Sequence, residues 1–525
     1  MKRIISAILL VSLVLTFALF VMTGCKKNKT AADFVMPEGG FDTTTPITIK
    51  FYHSMGAQLQ EILNTAIADF NKIYPNITVE HKSYGNYDGV RDQIKTEISV
   101  GNQPNIAYCY PDHIALYNVA GAVQTLDVLI DSEYGFTAEQ IADFIPGYYE
   151  EGRAFGDGKM YSLPISKSTE VLYYNKTFFE VQNKIYASDV ELNPDTGDVV
   201  YYPVLDDKGE QVIGDDGKPV YETKPNPYKG NENYNISVPT TWAEMEETCK
   251  KIKAIRPTCI PLGYDSESNW FITMCEQYES PYTSATGENF LFNNETNRNF
   301  VKMFRTWYEN KWVTTEALSG GYTSALFTGE SSSSSSNTES GVPAGTRCYM
   351  CIGSTGGATY QQPKQTNGKF EFEVGITSIP QVNPEKPKVI TQGPSVCIFK
   401  KDNPQEVLAS WLFVKFLTTD HTFQGSVSMN NGYAPVIQSI SENPAYANFL
   451  ASASTENIQA YAVKVALEQS DAYYVSPAFN GSSVARDQVG LLLQKCFTEP
   501  ATNVDDMIAK AFKDAVDKCI FESGQ

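Results

Sequence analysis

The strongest constraint on the fold is an alternation of strand-like and helix-like periodicities in the first quarter of the chain. Residues 47–51 alternate apolar and polar side chains, as a strand does, and residues 59–70 repeat apolar side chains every three or four positions, as a helix does. A second strand at 77–79, a second helix stopped by Gly101 and a third strand at 106–110 follow. This order is typical of a parallel sheet, so we predict an α/β fold.

The length of the chain predicts more than one folded unit. A chain of 525 residues is too long for a single compact core, and two domains are the natural expectation. Residues 185–237 carry three acidic, glycine-containing turn motifs separated by short β-prone runs. The oxygen-ligand spacing of an EF-hand loop is absent there, so we interpret this segment as a β-rich insertion of hairpins.

The N-terminus has the features of an export signal. Lys2 and Arg3 precede an almost wholly apolar stretch, and Cys25 follows Gly24 directly, which resembles a bacterial lipobox. We therefore predict a signal peptide over residues 1–24, lipid attachment at Cys25 and a disordered, lipid-anchored linker over 25–45. The alternative is an uncleaved membrane anchor. Both interpretations place the folded part on the outer side of the bacterial membrane, at the cell surface or in the periplasm.

The net charge argues against a nucleic-acid partner, and the cysteine spacing argues against a disulfide framework and a metal site. The formal net charge of −20 repels phosphate backbones, so we predict no nucleic-acid partner. The ten cysteines are widely scattered and do not predict a disulfide framework. Cys348 and Cys351 form the one close pair, either a redox or metal pair or two small apolar residues of a strand. Because zinc would need a second such pair, we predict no metal.

Motifs of common enzyme classes are missing from the sequence. The nucleophile elbow, the P-loop, the dinucleotide-binding glycine motif and the zinc-protease motif do not occur. Acidic residues are plentiful, but nothing singles out a pair that would act on a glycosidic bond. We therefore predict a protein that is not an enzyme and needs no cofactor.

Several sequence blocks resemble the family 1 extracellular solute-binding proteins of ABC importers, especially members that bind glycerol phosphate or sugars. The likeness runs from about residue 47 to about residue 500, outside the insertion. Each block alone is weak, and their order and spacing carry the resemblance. The blocks include Gly85-Asn-Tyr87-Asp88, the segment 166–176 (SKSTEVLYYNK), Pro239-Thr-Thr-Trp242, Gly393-Pro394 and Asn431-Gly-Tyr433-Ala-Pro435.

The resemblance implies a two-lobed, type II periplasmic-binding-protein fold with a hinge between the lobes. The first lobe would comprise residues 46–168 and 393–435, and the second lobe 169–392 and 436–525. The chain would cross between the lobes near 165–172, near 390–395 and near 435.

The resemblance also implies a ligand site between the lobes, where hinge closure brings both surfaces onto one solute. Polar solutes need many hydrogen bonds, because each desolvated group left unpaired is costly. Trp270 would stack on the apolar side of a sugar, and Arg486 would bind a phosphate if the solute carries one. The candidate site residues are His53, Asp88, Tyr110, Asp112, Ser168, Trp270, Ser354, Gly393, Tyr433 and Arg486.

The sequence therefore predicts a lipid-anchored receptor that captures a sugar, an oligosaccharide or a glycerol phosphate and delivers it to an ABC permease. Two alternatives stay open at this point. One is an extracellular carbohydrate-active enzyme on the same scaffold, and the other is a surface sensor or adhesion module, because a fold does not fix a function.

Overall fold

The structure is a computed structural model that describes residues 32–329, 342–343 and 345–524. The predicted signal peptide and Cys25 lie outside the described residues. Within the described ranges, no helix is both long enough and apolar enough to cross a bilayer.

The strands are short and are numbered here in chain order. They are β1 (Ile47–His53), β2 (Ile77–Ser83), β3 (Ile106–Cys109), β4 (Leu163–Pro164), β5 (Ser168–Asn175), β6 (Tyr202–Pro203), β7 (Tyr221–Glu222), β8 (Leu262–Tyr264), β9 (Val313–Thr315), β10 (Met350–Ser354), β11 (Gln365–Thr366), β12 (Lys369–Phe370), β13 (Val374–Ser378), β14 (Val389–Gln392), β15 (Ser395–Ile398) and β16 (Tyr473–Tyr474).

The helices cover the faces of the sheets and are numbered in the same way. They are α1 (Ala57–Ile73), α2 (Tyr87–Val100), α3 (Pro111–Asn118), α4 (Asp127–Ile130), α5 (Ala138–Asp143), α6 (Pro146–Glu150), α7 (Lys176–Ala187), α8 (Trp242–Ile255), α9 (Glu267–Gln277), α10 (Glu295–Glu309), α11 (Glu316–Ser319), α12 (Ser324–Thr328), α13 (Pro404–Thr419), α14 (His421–Asn431), α15 (Pro444–Ala451), α16 (Ile458–Glu468), α17 (Ser482–Thr498) and α18 (Val504–Ser523).

Local signals explain where several helices begin and end. The Thr241 hydroxyl accepts from the Glu244 amide at 3.2 Å, and the Glu244 carboxylate accepts from the Thr241 amide, which forms a capping box before α8. Asn403 accepts from the Gln405 amide before the proline that opens α13. Gly101 ends α2 in the left-handed conformation, at φ 72°.

Two separate sheets confirm the predicted α/β architecture. The first sheet has the order β2-β1-β3-β15-β4, in which β1 is parallel to β2 and β3. The second sheet has the order β16-β14-β5-β10-β8-β9, with β13 also paired to β5, and its strands β8, β9 and β10 are parallel. Each sheet packs against its own hydrophobic core, so the molecule has two lobes.

The chain passes between the sheets where short strands follow one another. β4 belongs to the first sheet and β5 to the second, and β14 and β15 make the return passage. A third segment meets the first passage at Ala434, which exchanges backbone hydrogen bonds with Lys167.

The packing differs from the expected lobe boundary at residue 435. Val436, Ile437 and Tyr446 are buried in the core of the first lobe, so the segment up to the end of α15 adds to that lobe. The chain then enters the second lobe through α16, whose Val463 packs on the first core and whose Ala462 packs on a core cluster of the second lobe.

The described part of the expected disordered linker is also ordered against the first lobe. Phe34 and Phe41 are buried, and their amides donate to the Gln124 side chain at 3.1 Å and to the Tyr134 hydroxyl at 3.0 Å. Burial of two aromatic side chains explains why residues 32–45 lie on the lobe, contrary to the expected disordered linker.

The insertion forms hairpins, as its turn signals predict. The Val204 amide donates to the Val220 carbonyl, the Val212 amide to the Val204 carbonyl and the Val220 amide to the Val212 carbonyl, all at 2.9–3.0 Å. These three bonds close a ring of short β segments. The ring joins the second lobe near a backbone hydrogen bond from Asn226 to Asp189.

Candidate functional site

A polar cleft lies between the two lobes. Its larger cavity, about 520 Å³, takes lining residues from the first lobe and from helices α9 and α17 of the second. Its smaller cavity, about 60 Å³, lies beside it, and Tyr110, Asp112 and Arg486 line both. The first-lobe residues of the larger cavity are Tyr87, Asp88, Arg91, Tyr110, Asp112 and His113, and those of the second lobe include Glu267, Ser268, Ser483, Arg486 and Asp487.

Polar side chains follow or end parallel strands in both sheets, and of these Tyr110 lines both cavities of the cleft. Tyr110 directly follows β3 of the first sheet, Asp265 follows β8 and Glu316 follows β9 of the second sheet, and Ser354 ends β10. The carboxyl ends of neighbouring parallel strands meet at one edge of a sheet, and this edge is where α/β proteins bind ligands.

A group of tyrosines forms the first-lobe side of the cleft. The rings of Tyr87 and Tyr110 lie 4.5 Å apart, and Tyr87 stacks on Tyr108 at 6.0 Å with an interplanar angle of 7°. Burial raises the pKa of the Tyr110 hydroxyl, as does the nearby Tyr433, so these phenols stay neutral at physiological pH. Such a surface offers flat apolar faces together with hydroxyl donors.

The smaller cavity contains unsatisfied hydroxyls. The side-chain oxygens of Tyr282, Thr391 and Ser476 are buried and, within the described part of the chain, have no hydrogen-bond partner. Tyr282 is 6% exposed. Buried polar groups in folded proteins nearly always bond to protein, water or ligand, so this cavity is suited to a polar occupant.

Arg486 is held by a chain of buried polar groups. Its Nη2 donates to Asn269 Oδ1, Asn269 Nδ2 donates to Glu170 Oε1 at 3.1 Å, and the Tyr264 hydroxyl donates to Glu170 Oε2 at 2.6 Å. Burial raises the pKa of Glu170 to about 7, although these hydrogen bonds and the charge of Arg486 act in the opposite direction. The guanidinium is thereby fixed at the boundary of the two cavities.

Further carboxylates lie at the second-lobe edge. The Asp265 carboxylate accepts from the Thr323 amide at 2.7 Å and its hydroxyl at 2.6 Å, and burial raises its pKa. Burial and the charges of Asp265 and Glu267 raise the pKa of Glu316 to about 7. The exposed Tyr322 interacts electrostatically with Glu316 and Asp265. This edge therefore supplies hydrogen-bond acceptors beside an exposed aromatic ring.

The lobes touch each other on two sides of the cleft. Arg91 of α2 lies 3.9 Å from Asp487 of α17 across the larger cavity, and it pairs with Asp88 at 2.9 Å on its own helix. Near the smaller cavity, the Ala478 amide donates to the Ala154 carbonyl at 2.8 Å. The structure therefore shows the two lobes in direct contact.

Four of the sequence-predicted site residues come together at the larger cavity. Asp88, Tyr110 and Asp112 line it from the first lobe, and Arg486 lines it from the second. The exposed Asp88 carboxylate is bound to Arg91, and the Asp112 carboxylate accepts from the His113 amide at 3.0 Å.

Four others lie at the passages between the lobes. Ser354 donates to Ser168 at 3.1 Å between their hydroxyl oxygens. Gly393 has φ 89°, and a Cβ there would lie 2.7 Å from the Ser166 carbonyl oxygen, so its close approach is to the neighbouring passage. The half-buried Tyr433 ring lies against Gly356 of the second lobe.

Two predicted site residues lie elsewhere. His53 is fully buried, where Nδ1 accepts from the Met55 amide at 3.1 Å and Nε2 lies 2.9 Å from His81 Nδ1, so both ring nitrogens already have partners. Trp270 is also fully buried, 4.9 Å from the Tyr264 ring and 3.9 Å from Phe304. Its large apolar ring fills the second-lobe core and has no face left for stacking, so we do not retain either residue in the site.

Several cleft residues were missed by the sequence interpretation. Tyr87 stands in the same block as Asp88, and its position in the first turn of a helix after Gly85-Asn was an available signal. Glu170 stood out as a charge within the block 166–176, although its role behind Asn269 and Arg486 was not predicted. Tyr282, Thr391 and Ser476 come from three distant segments, and no local pattern marks them.

The cysteines of the described ranges are buried side chains of the two lobes. The nine cysteines there are free and buried, and no group of three or more metal-ligating side chains occurs. Cys348 lies just before β10 and Cys351 lies within it, and the Cys351 sulfur lies 3.2 Å from the Thr323 hydroxyl and 3.3 Å from Gln361 Nε2.

Curated proteins similar to this chain include sn-glycerol-3-phosphate-binding periplasmic proteins. The sn-glycerol-3-phosphate-binding periplasmic proteins UgpB of Salmonella typhimurium and Shigella dysenteriae are 29% and 30% identical over 134 residues. The match covers 25% of this chain and 30% of each relative, so the chain spans less than a third of the length of these relatives.

Solved structures share the fold over most of the chain. The Listeria monocytogenes ABC substrate-binding protein Lmo0181 in complex with cycloalternan has a TM-score of 0.62 at 16% identity, covering 91% of this chain and 99% of that one. The Mycobacterium tuberculosis UgpB in complex with glycerophosphocholine has a TM-score of 0.61 at 16% identity, covering 91% and 98%. The GacH receptor of Streptomyces glaucescens also has 0.61, at 14% identity, covering 91% and 99%.

The sequence profile described as bacterial extracellular solute-binding protein matches residues 65–452, which is well over half of the chain. The predicted resemblance to the solute-binding proteins of ABC importers is confirmed by this match. The two lobes, the three passages and the polar cleft agree with it. This chain belongs to the bacterial extracellular solute-binding proteins.

Proposed function

We propose that this protein captures a polyhydroxylated solute, a carbohydrate or a glycerol-phosphate-type compound, by closing its two lobes over it, and delivers it to the permease of an ABC importer. The observation that carries this proposal is the cleft itself. Tyr87 and Tyr110 offer ring faces on the first-lobe side, carboxylates of both lobes line the larger cavity, and three buried hydroxyls that have no hydrogen-bond partner among the described residues line the smaller one.

The charges around the cleft favour a neutral solute over a fully ionised one. The larger cavity has four carboxylates, from Asp88, Asp112, Glu267 and Asp487, against the two guanidinium groups of Arg91 and Arg486. Arg91 is engaged by Asp88 and Asp487, so among the described lining residues Arg486 is the guanidinium left to meet an anionic group. Carboxylates accept hydrogen bonds from sugar hydroxyls, whereas they repel phosphate.

A binding panel with the purified protein tests this proposal. We expect calorimetry to detect stoichiometric binding of at least one neutral mono- or oligosaccharide, sn-glycerol 3-phosphate or glycerophosphocholine, without turnover. Arg486→Ala should weaken a phosphate-bearing ligand at least tenfold more than a neutral sugar, because a guanidinium binds phosphate through charge-assisted bonds. Hydrolysis of a bound sugar, or binding of no polyol in the panel, would contradict the proposal.

We further propose that Cys25 carries the lipid that anchors the receptor to the outer face of the membrane. The basic start, the apolar stretch and the small residues before Cys25 support this. Metabolic labelling with a fatty acid should mark the wild-type chain and spare Cys25→Ser, with Cys348→Ser as the matched control. Equal labelling of Cys25→Ser and wild type would contradict the anchor.

A further inference from the structure

The three passages between the lobes meet at one fully buried lysine. Lys167 lies on the first passage, between β4 and β5, and its side chain is 0% exposed. Its amide donates to the Ala434 carbonyl at 3.0 Å and its carbonyl accepts from the Ala434 amide at 2.6 Å, which ties it to the third segment. Its Nζ donates to the Gly393 carbonyl at 3.2 Å and to the Ser395 hydroxyl at 3.0 Å on the second passage.

The charge of this lysine is balanced by a buried acid of the first lobe. Nζ is ion-paired with Glu151 Oε2, and the Ser395 hydroxyl donates to the same oxygen at 2.9 Å. The Glu151 side chain is only 4% exposed. Glu151, Ser395 and Gly393 together satisfy the three hydrogens of the ammonium group, so the lysine is completely bonded without water.

The acid of this pair also belongs to the cleft. Glu151 lines the smaller cavity together with Thr391 and Arg486, and it begins the 3-10 turn Glu151–Arg153. Ala154 follows this turn directly, and its carbonyl accepts a hydrogen bond from the Ala478 amide of the second lobe. The pair thus connects the hinge passages to a wall of the site.

A buried ion pair is a poor source of stability, because the cost of removing two charges from water offsets their attraction. Its best-supported use is to specify one geometry, since only one arrangement satisfies both charges. We propose that the Lys167–Glu151 pair fixes the relative position of the three passages and thereby sets the fraction of receptors that can close over solute. Both are positioning residues.

The variants must separate this role from simple support of the fold. Lys167→Met alone leaves Glu151 buried and unpaired, so we expect it to lower the thermal midpoint strongly. Lys167→Met/Glu151→Gln removes both charges with similar side-chain volumes, and we expect it to stay folded. The matched control is Lys176→Met/Glu373→Gln, which removes a 2.6 Å lysine–glutamate pair within the second lobe.

The decisive measurement is the distance between the lobes in the full chain without solute. Spin labels at Lys72→Cys and Lys386→Cys use exposed positions of the two lobes, while the nine described native cysteines are buried. A chain without the introduced cysteines gives the background labelling. We expect a narrow distance distribution in the wild type and in the control pair variant, and a broadened one in the hinge double variant.

Affinity provides a second readout, which rests on the proposed function. In the hinge double variant, Lys167→Met/Glu151→Gln, receptors that can close become the minor population. The apparent affinity is reduced in proportion to the fraction that can still close, and we expect a loss of roughly tenfold. An unchanged distance distribution in the folded double variant would overturn this inference whether or not a solute has been found. An unchanged distribution together with normal binding would leave the proposed function intact.

Discussion

The two lobes present different chemistry at equivalent places. In the first sheet, Tyr84 follows β2 and Tyr110 follows β3. In the second sheet, Asp265 follows β8 and Glu316 follows β9. All four positions stand directly after a parallel strand, so topology alone treats them alike.

At these strand ends the two lobes offer complementary groups, and the helix residues Asp88 and Asp112 add carboxylates to the first-lobe side of the larger cavity. Tyrosines give stacking faces and neutral donors, while carboxylates of the second lobe accept hydrogen bonds. A sugar ring has an apolar face and a rim of hydroxyls, so it needs both kinds of surface. The large aromatic side chains of the second lobe, Trp270 above all, fill its core.

The largest effect should come from Trp270→Ala. Because the indole is fully buried among aromatic rings, its loss should lower the free energy of unfolding by about 3–5 kcal/mol. Denaturant unfolding followed by fluorescence measures this. A Trp270→Ala variant that keeps normal stability but loses solute binding would show that the second lobe does offer a stacking face. That result would contradict the difference between the lobes described above.

The next largest effect is an opposite pH response of the two lobes. Burial, and to a smaller extent the neighbouring His81, lowers the pKa of His53 from 6.5 to about 4. The contribution of His53 to the free energy of unfolding therefore falls by up to about 3 kcal/mol as pH falls from 6.5 toward 4. Burial raises the pKa of Glu170 from 4.5 to about 7. The contribution of Glu170 to the free energy of unfolding therefore falls by about 3 kcal/mol as pH rises from 4.5 toward 7.

Unfolding titrations between pH 4 and 8 separate the two contributions. Relative to the wild type, His53→Gln should lose the decline on the acid side, and Glu170→Gln should lose the decline toward neutral pH. If both variants keep the pH profile of the wild type, the folded protein does not hold His53 neutral in acid or Glu170 protonated toward neutral pH.

A smaller effect is expected from Tyr110→Ala on binding. Loss of the ring and its hydroxyl should weaken the solute roughly tenfold, equivalent to about 1.4 kcal/mol, with little change in stability because the side chain is half-buried. Calorimetry with the solute found in the panel measures it. Tyr201→Ala, in the insertion and 64% exposed, is the control, and an equal loss there would point to a nonspecific cause.

The smallest effect should come from Asp487→Asn. The Arg91–Asp487 contact is 3.9 Å long and Asp487 is largely exposed, so its contribution to closure should stay below about 1 kcal/mol. A change in affinity of at most a fewfold at low salt, absent at high salt, is the expected result. A large effect that persists in salt would mean that this contact, rather than the strand ends, dominates the cleft.

Sequence reasoning recovers what local periodicity and local motifs determine. The strands and helices from β1 to β3 follow from apolar spacing, and the candidates Asp88, Tyr110 and Asp112 follow from places just after a strand or beside the Gly85-Asn-Tyr87 block. Arg486 came from the resemblance and also lies at the cleft.

Tertiary packing decides the rest. Nothing in the residues around Trp270 distinguishes a ring that packs on Phe304 from one that packs on a solute. Likewise, His53 follows the rule for a strand-end residue, yet the adjacent strand brings His81 within hydrogen-bonding distance. Such outcomes depend on neighbours more than twenty residues away, which no local pattern contains.

The ring of hairpins in the insertion has one more consequence. Because its valines satisfy each other's backbone groups and its two ends leave the lobe side by side, the ring is a self-contained appendage on a narrow stalk. Evolution can lengthen, exchange or discard such an appendage without touching the hinge. The hairpin insertion of this receptor and its solute preference are therefore free to change independently of each other.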